Sequence, residues 1–209
     1  MKIPSPFRSY PPGWETFDQF AVSPGPSYMG FTGTAAQINR FAARYRAAKC
    51  FSAVSFDELT RTTAEGYSAL VHLLLTYSAF EHFLRCIGLE LRSTGSLLSP
   101  GERDKVLARL QGLSGSSEFF AALRQHLEPR YQRQVDGFRS SGACNPLFLA
   151  AAIRHAFAHG HLAASPLGVP LDTVGTVCRY LCRVLFGLMD REFKNRITTF
   201  ERELEGPDA

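Results

Sequence analysis

The sequence predicts an all-α protein: a bundle of about five or six helices behind an irregular N-terminal arm. Three observations predict it. Apolar residues recur at three- and four-residue spacing through most of the chain, helix-starting and helix-ending residues stand at the ends of those stretches, and no stretch shows the alternation of a half-buried strand. With 209 residues, 45% of them hydrophobic and 17 of them Phe, the chain can bury a core without disulfides or metal. Its length favours one domain with an extension over two full domains.

Residues 1–33 make up the arm. Half of the 12 prolines lie in its first 26 positions (Pro4, Pro6, Pro11, Pro12, Pro24, Pro26), beside Gly13, Gly25 and Gly30, a composition that argues against regular helix. Phe7, Tyr10, Trp14, Phe17, Phe20 and Tyr28 are more than a free linker needs, so the arm is expected to pack on the body.

The all-α domain is expected over 34–205. Thr34 caps the first helix, TAAQINRFAARYRAAKC. Ser55 with Glu58 three residues on reads as a capping box opening a second stretch, with an apolar face through Leu70, Leu74 and Phe80 to Phe83 and Gly66 as a point where it can break. Ser99, Pro100 and Glu102 mark the N-cap, first turn and box partner of a helix through Leu110. SSEFFAALRQHLEP forms another, ending near Pro129, and RYQRQVDGFRSSGAC follows as a polar, basic loop. Asn145-Pro146 opens PLFLAAAIRHAFAHG, which Gly160 terminates. After a second loop, Val174, Val177, Leu181, Leu185, Leu188 and Phe193 keep helical spacing through a long final helix.

Charge narrows the function only slightly. There are 23 Lys+Arg against 19 Asp+Glu, a net +4, which permits nucleic acid without the strong basicity of a histone-like binder. The five cysteines are odd in number and scattered, and are read as small buried side chains in a reducing compartment. MKIPSPFRSYPPGW has no apolar stretch of a secretory signal, and no unbroken apolar run reaches membrane-spanning length. A cytoplasmic location without membrane partners is therefore expected. No G-x-G-x-x-G, G-x-x-x-x-G-K-[ST], H-E-x-x-H or G-x-S-x-G occurs, so dinucleotide enzymes, P-loop ATPases, zincins and α/β hydrolases find no support. Carboxylates are too sparse in the apolar segments for a di-iron bundle. No metal or cofactor is expected.

One segment is unusual for a core helix, Ile153-Arg154-His155-Ala156-Phe157-Ala158-His159-Gly160-His161. His155 and His159 are four apart and share a helix face. Arg154 and His159 are five apart, about 140° around an ideal helix, and converge if the helix ends near His159 or a second subunit completes the site. Histidine titrates near neutrality and can move protons, while arginine offers fixed donors to phosphate oxygens. The plainer alternative is a helix-end histidine near the negative end of the dipole, with Arg154 in an ion pair with Glu81 or Asp190. His72, His82 and His161 are read as structural.

Arg154-His155-x-x-x-His159, near one end of a helix in an all-α chain, resembles the Rx4–6H signature of HEPN domains. In that family the residue after the arginine is commonly Asn, Asp or His. The resemblance implies a helical bundle, often a homodimer with a composite site, and in many members a metal-independent endoribonuclease of toxin, defence or stress systems. Arg154, His159 and His155 would then be catalytic. RNA would be cleaved through attack of its own 2′-hydroxyl, leaving 2′,3′-cyclic phosphate and 5′-hydroxyl ends. Other members are non-catalytic modules that bind RNA, nucleotide or a partner protein, and an antitoxin or a nucleotidyltransferase is the kind of partner implied. Family members often carry a polar residue facing the motif, which points to Glu81, and Tyr77 lies one helical turn before it. Arg124, Arg130, Arg133 and Arg139, with Tyr131 and Phe138, are candidates to guide an RNA backbone; ordinary solvated charges are the alternative.

Overall fold

The computed structural model describes residues 7–21, 29–141 and 144–205. Among them there is no strand, and the order is α1 (Trp14–Phe20), α2 (Ala35–Lys49), α3 (Arg61–Cys86), a 3-10 turn (Leu91–Ser96), α4 (Pro100–Gln111), α5 (Ser116–Arg124), α6 (Pro129–Ser141), α7 (Pro146–Ala158) and α8 (Thr173–Glu205). Eight α-helices exceed the expected five or six because α1 and α6 arise where irregular chain was expected.

The arm is corrected first. Pro11 and Pro12 precede α1 rather than interrupt it, and Gly13 at φ +88 turns the chain into its first residue. Proline's missing N–H costs nothing at that position. Trp14 stacks on Tyr10 at 4.8 Å between ring centroids and on Phe193 of α8 at 5.8 Å, and Phe17 meets Phe31 and Phe193 at 6.3 and 6.0 Å. Pro4, Pro6, Pro24, Pro26, Gly25 and Tyr28 lie outside the described residues.

Local signals set most of the other boundaries. Thr34 and Gln37 form a reciprocal box at the start of α2, and Ser99 and Glu102 do the same for α4. The box expected at Ser55 and Glu58 does not form: residues 51–60 are irregular, and α3 begins at Arg61 with Thr60 accepting from the Thr63 N–H. Gly66 does not break α3 either. A Cβ there would stand 2.9 Å from the Ala164 Cβ, so its bare backbone lets the α7–α8 connection close onto the helix.

The basic loop expected after Pro129 is helix α6. Tyr131, Val135 and Phe138, spaced four and three apart, bury one face while the arginines keep to solvent. Three apolar residues suffice because α5 and α7 cover that face.

The 26-residue α3 is the hub, packed against α2, α8 and α7. Its face of Leu70, Leu73, Phe80 and Phe83 is fully buried, and Cys86, Cys144, Cys178 and Cys182 are buried free thiols. Across this core the Tyr45 hydroxyl donates to Asp190 at 2.5 Å. Arg191 ties α8 to the Leu97 carbonyl and the Glu102 carboxylate at the head of α4. No helix among the described residues is long and apolar enough to cross a membrane.

Candidate functional site

The site forms where four pieces of chain meet: the C-terminal half of α3, the last turns of α7, the α5–α6 turn and the first turn of α6. α7 starts cleanly because Asn145 accepts from the Leu147 N–H at 3.0 Å and Pro146 fills the first turn. Ala150, Ala151, Ala152, Ile153 and Ala156 are fully buried, which lets α7 lie close against α3. The helix ends with His159 as C-cap. The His161 N–H then donates to the Ala156 carbonyl at 2.8 Å and the Gly160 N–H to Phe157 at 3.0 Å, with Gly160 at φ +73. This is a Schellman closure, which needs a left-handed residue after the cap and therefore glycine. It folds His161 back beside the helix end.

Four of the six histidines come together as a result, each within 6.4 Å of the next in a row of ring-to-ring contacts. The Tyr131 ring sits 5.3 Å from His155, His155 4.5 Å from His159, His159 6.4 Å from His161, and His161 5.9 Å from His126. His155 is the sheltered member; His159, His161 and His126 are exposed. Burial, then the neighbouring His159 charge, hold the pKa of His155 below its ordinary value, so at neutral pH it is the unprotonated imidazole. Glu128 lies 3.7 Å from His155 and 3.1 Å from Arg130, whose guanidinium sits 4.6 Å above the Tyr131 ring.

Of the two carboxylates open to Arg154, the structure selects Glu81, whose Oε2 stands 3.4 Å from Nη2, while Asp190 is taken by Tyr45. The Arg154 Nε is buried and has no hydrogen-bond partner among the described residues. An unpaired buried donor of this kind costs about 1–3 kcal/mol. Tyr77 is buried one turn before Glu81; its pKa is raised by burial first and by Glu81 next, so it stays a neutral phenol. Tyr131 is likewise raised, by burial first.

The four arginines proposed to guide RNA do not form one strip. Arg124 is held by Asp136 in a two-pronged pair at 2.5 and 2.9 Å, and Phe138 is a core residue with no face to offer. Arg133 is exposed one turn from the site, whereas Arg139 lies nine residues beyond Arg130, about 13 Å along α6, beside Asp136. Only Arg130 reaches the row of rings. His72 stacks on Phe51 at 5.6 Å, and His82 contacts the Ser78 carbonyl at 3.3 Å.

Sequence reasoning missed His126 altogether and assigned His161 a structural role. His126 is 29 residues from His155, and no local spacing announces the contact. Among the described residues no three His, Cys, Asp or Glu side chains are arranged to hold a metal ion. A cavity of about 890 Å³ lies elsewhere, at the α7 N-terminus between Arg92, Arg103, Asn145 and Phe148. The chain matches no family model, no curated protein and no solved structure.

Proposed function

We propose that this protein is a metal-independent endoribonuclease of HEPN type, acting as a toxin or in a defence or stress system. One observation carries the reading: His155 and His159, 4.5 Å apart at the exposed end of α7, share its last turns with Arg154, whose guanidinium is partly exposed beside Glu81. Burial first, and then the His159 neighbour, disfavour a charge on His155, so the pair offers a neutral imidazole as base and, once that ring has taken a proton, an acid. In the proposed reaction a neutral imidazole of the pair takes the 2′-hydroxyl proton, and the 2′-oxygen attacks the adjacent phosphorus. The P–O5′ bond breaks as the departing 5′-oxygen receives a proton from an imidazolium. Arg154 donates to the non-bridging oxygens, and Glu81 keeps its guanidinium in place. In a homodimer with a composite site, two such pairs would face one strand, and an antitoxin or a nucleotidyltransferase would be the protein partner that restrains or accompanies the activity.

Purified protein incubated with single-stranded RNA in EDTA is expected to leave 2′,3′-cyclic phosphate and 5′-hydroxyl ends, and His159→Ala to lose at least about a hundredfold in rate. Cleavage that is absent, or unchanged in His159→Ala, defeats the proposal. One contact favours the non-catalytic alternative, a module that binds RNA, nucleotide or a protein: Glu81 already engages Arg154. That reading expects RNA binding without cleavage and indifference to His159→Ala.

A further inference from the structure

Two members of the histidine row have no part in the reaction above. The rings of His126 and His161 are nearly parallel, 10° between planes with centroids 5.9 Å apart, and both residues are exposed. Neither is a dangling surface side chain on unrestrained backbone. The Schellman closure places His161. His126 sits in a turn where its own N–H donates to Leu123 at 3.1 Å and the Gln132 side chain donates to the Leu127 carbonyl at 2.8 Å.

Two exposed imidazoles at this separation are close enough for one N–H from each to reach a single tetrahedral anion. The competing charges of this corner have partners of their own: Glu128 pairs with Arg130, and Arg124 with Asp136. The pair adjoins the other two histidines, with His161 one ring-to-ring step of 6.4 Å from His159. Closely spaced donors and flat ring faces on exposed residues match a single strand better than a duplex, whose bases are stacked out of reach.

We infer that His126 and His161 form a second phosphate subsite, holding the phosphodiester next to the one bound at Arg154 and His159. The ligand class is single-stranded RNA engaged through two consecutive phosphodiesters. This rests on the reading of the Arg154/His159 corner as an RNA site, and it adds where the strand goes on leaving that corner.

The test uses 2′-O-methyl oligouridylates of two, three and five nucleotides, which cannot undergo 2′-hydroxyl attack, in anisotropy titrations with the full-length protein. Wild type is expected to bind the trimer about tenfold more tightly than the dimer, as the second phosphate gains charge-assisted contacts, with little added by the pentamer. His126→Ala/His161→Ala is expected to lose that step, and His126→Gln/His161→Gln, which keeps N–H donors, to retain part of it. Both positions are exposed, and thermal melting checks that the variants fold. A step missing from wild type, or surviving in the alanine variant, overturns the subsite, as does inorganic phosphate competing only with the dimer. If unmodified RNA is not cleaved while the step is present and lost in the variant, the nuclease reading falls and the subsite stands. Cleavage by a wild type that shows no step removes the subsite and leaves the nuclease reading standing.

Discussion

The His155 and His159 rings lie 4.5 Å apart across the final turn of α7, the one sheltered among α6 side chains and the other open to solvent. Four-residue spacing alone puts them on one face; burial makes them chemically unequal. His155 is held below its ordinary value near 6.5, by burial first, and His72 and His82 are lowered by burial too. The folded chain therefore binds fewer protons than the unfolded chain just below that value, so stability is fully present above about pH 6.5 and is lost as pH falls through it toward the folded values. The Tm is expected to drop between about pH 7.5 and 5.5, with a shallower slope in His155→Gln. A Tm that is flat or rises on acidification contradicts this.

Gly160 is a conformational requirement rather than a spatial one. Nothing lies within 4 Å of where its Cβ would be, yet φ is +73. Gly160→Ala is expected to cost about 1–2 kcal/mol in urea unfolding and to displace His161 from beside His159. Unchanged stability in that variant would mean that the closure is not glycine-dependent.

Phe193 is where the arm meets the body, with Trp14, Phe17, Phe31 and Phe41 at 5.1 to 6.0 Å around it. Phe193→Ala is expected to cost about 3–5 kcal/mol and to shift Trp14 emission to the red as water enters. A loss below about 1 kcal/mol would show that the arm collapses to fill the space.

The Tyr45 hydroxyl is the short-range donor to Asp190, whose carboxyl is raised by burial. Tyr45→Phe removes that donor from a half-buried carboxylate, and about 1–3 kcal/mol of stability should go with it in denaturant titration. Tyr45→Phe combined with Asp190→Asn should lose less than the sum of the two single changes, because the carboxylate needing the donor is gone.

Much of the fold was legible because its signals are local. Thr34, Ser99 and Asn145 cap helices through residues two or three positions away, and Gly160 stops α7 through its own φ. The two helices that escaped notice are set by distant contacts. Seven residues of α1 carry too little periodicity, and polar α6 is helical because α5 and α7 cover three of its side chains. Ser55 misled for the converse reason: its segment meets α3 through Phe56 on Tyr67 and the Val54 N–H on Ser68 without turning helical, and the cap falls to Thr60 five residues later. The candidate site divides the same way. Arg154, His155 and His159 fall within six residues and are visible together, whereas His126 joins them only after α5, α6 and α7 have packed.

Thr16 reaches Glu201 at 2.9 Å across 185 residues of chain, and Trp14 reaches Phe193 in the same place. During synthesis, Trp14 and Phe17 can meet Tyr10 and Phe31 early, but Phe193, the ring that both of them contact, arrives only with α8. Contacts of such sequence separation slow folding and leave apolar rings uncovered on the nascent chain. The helices between them include pairs close in sequence that can assemble meanwhile, so docking of α1 on α8 is expected late in folding. Trp14 is the chain's single tryptophan, and its fluorescence is a built-in clock for that late step.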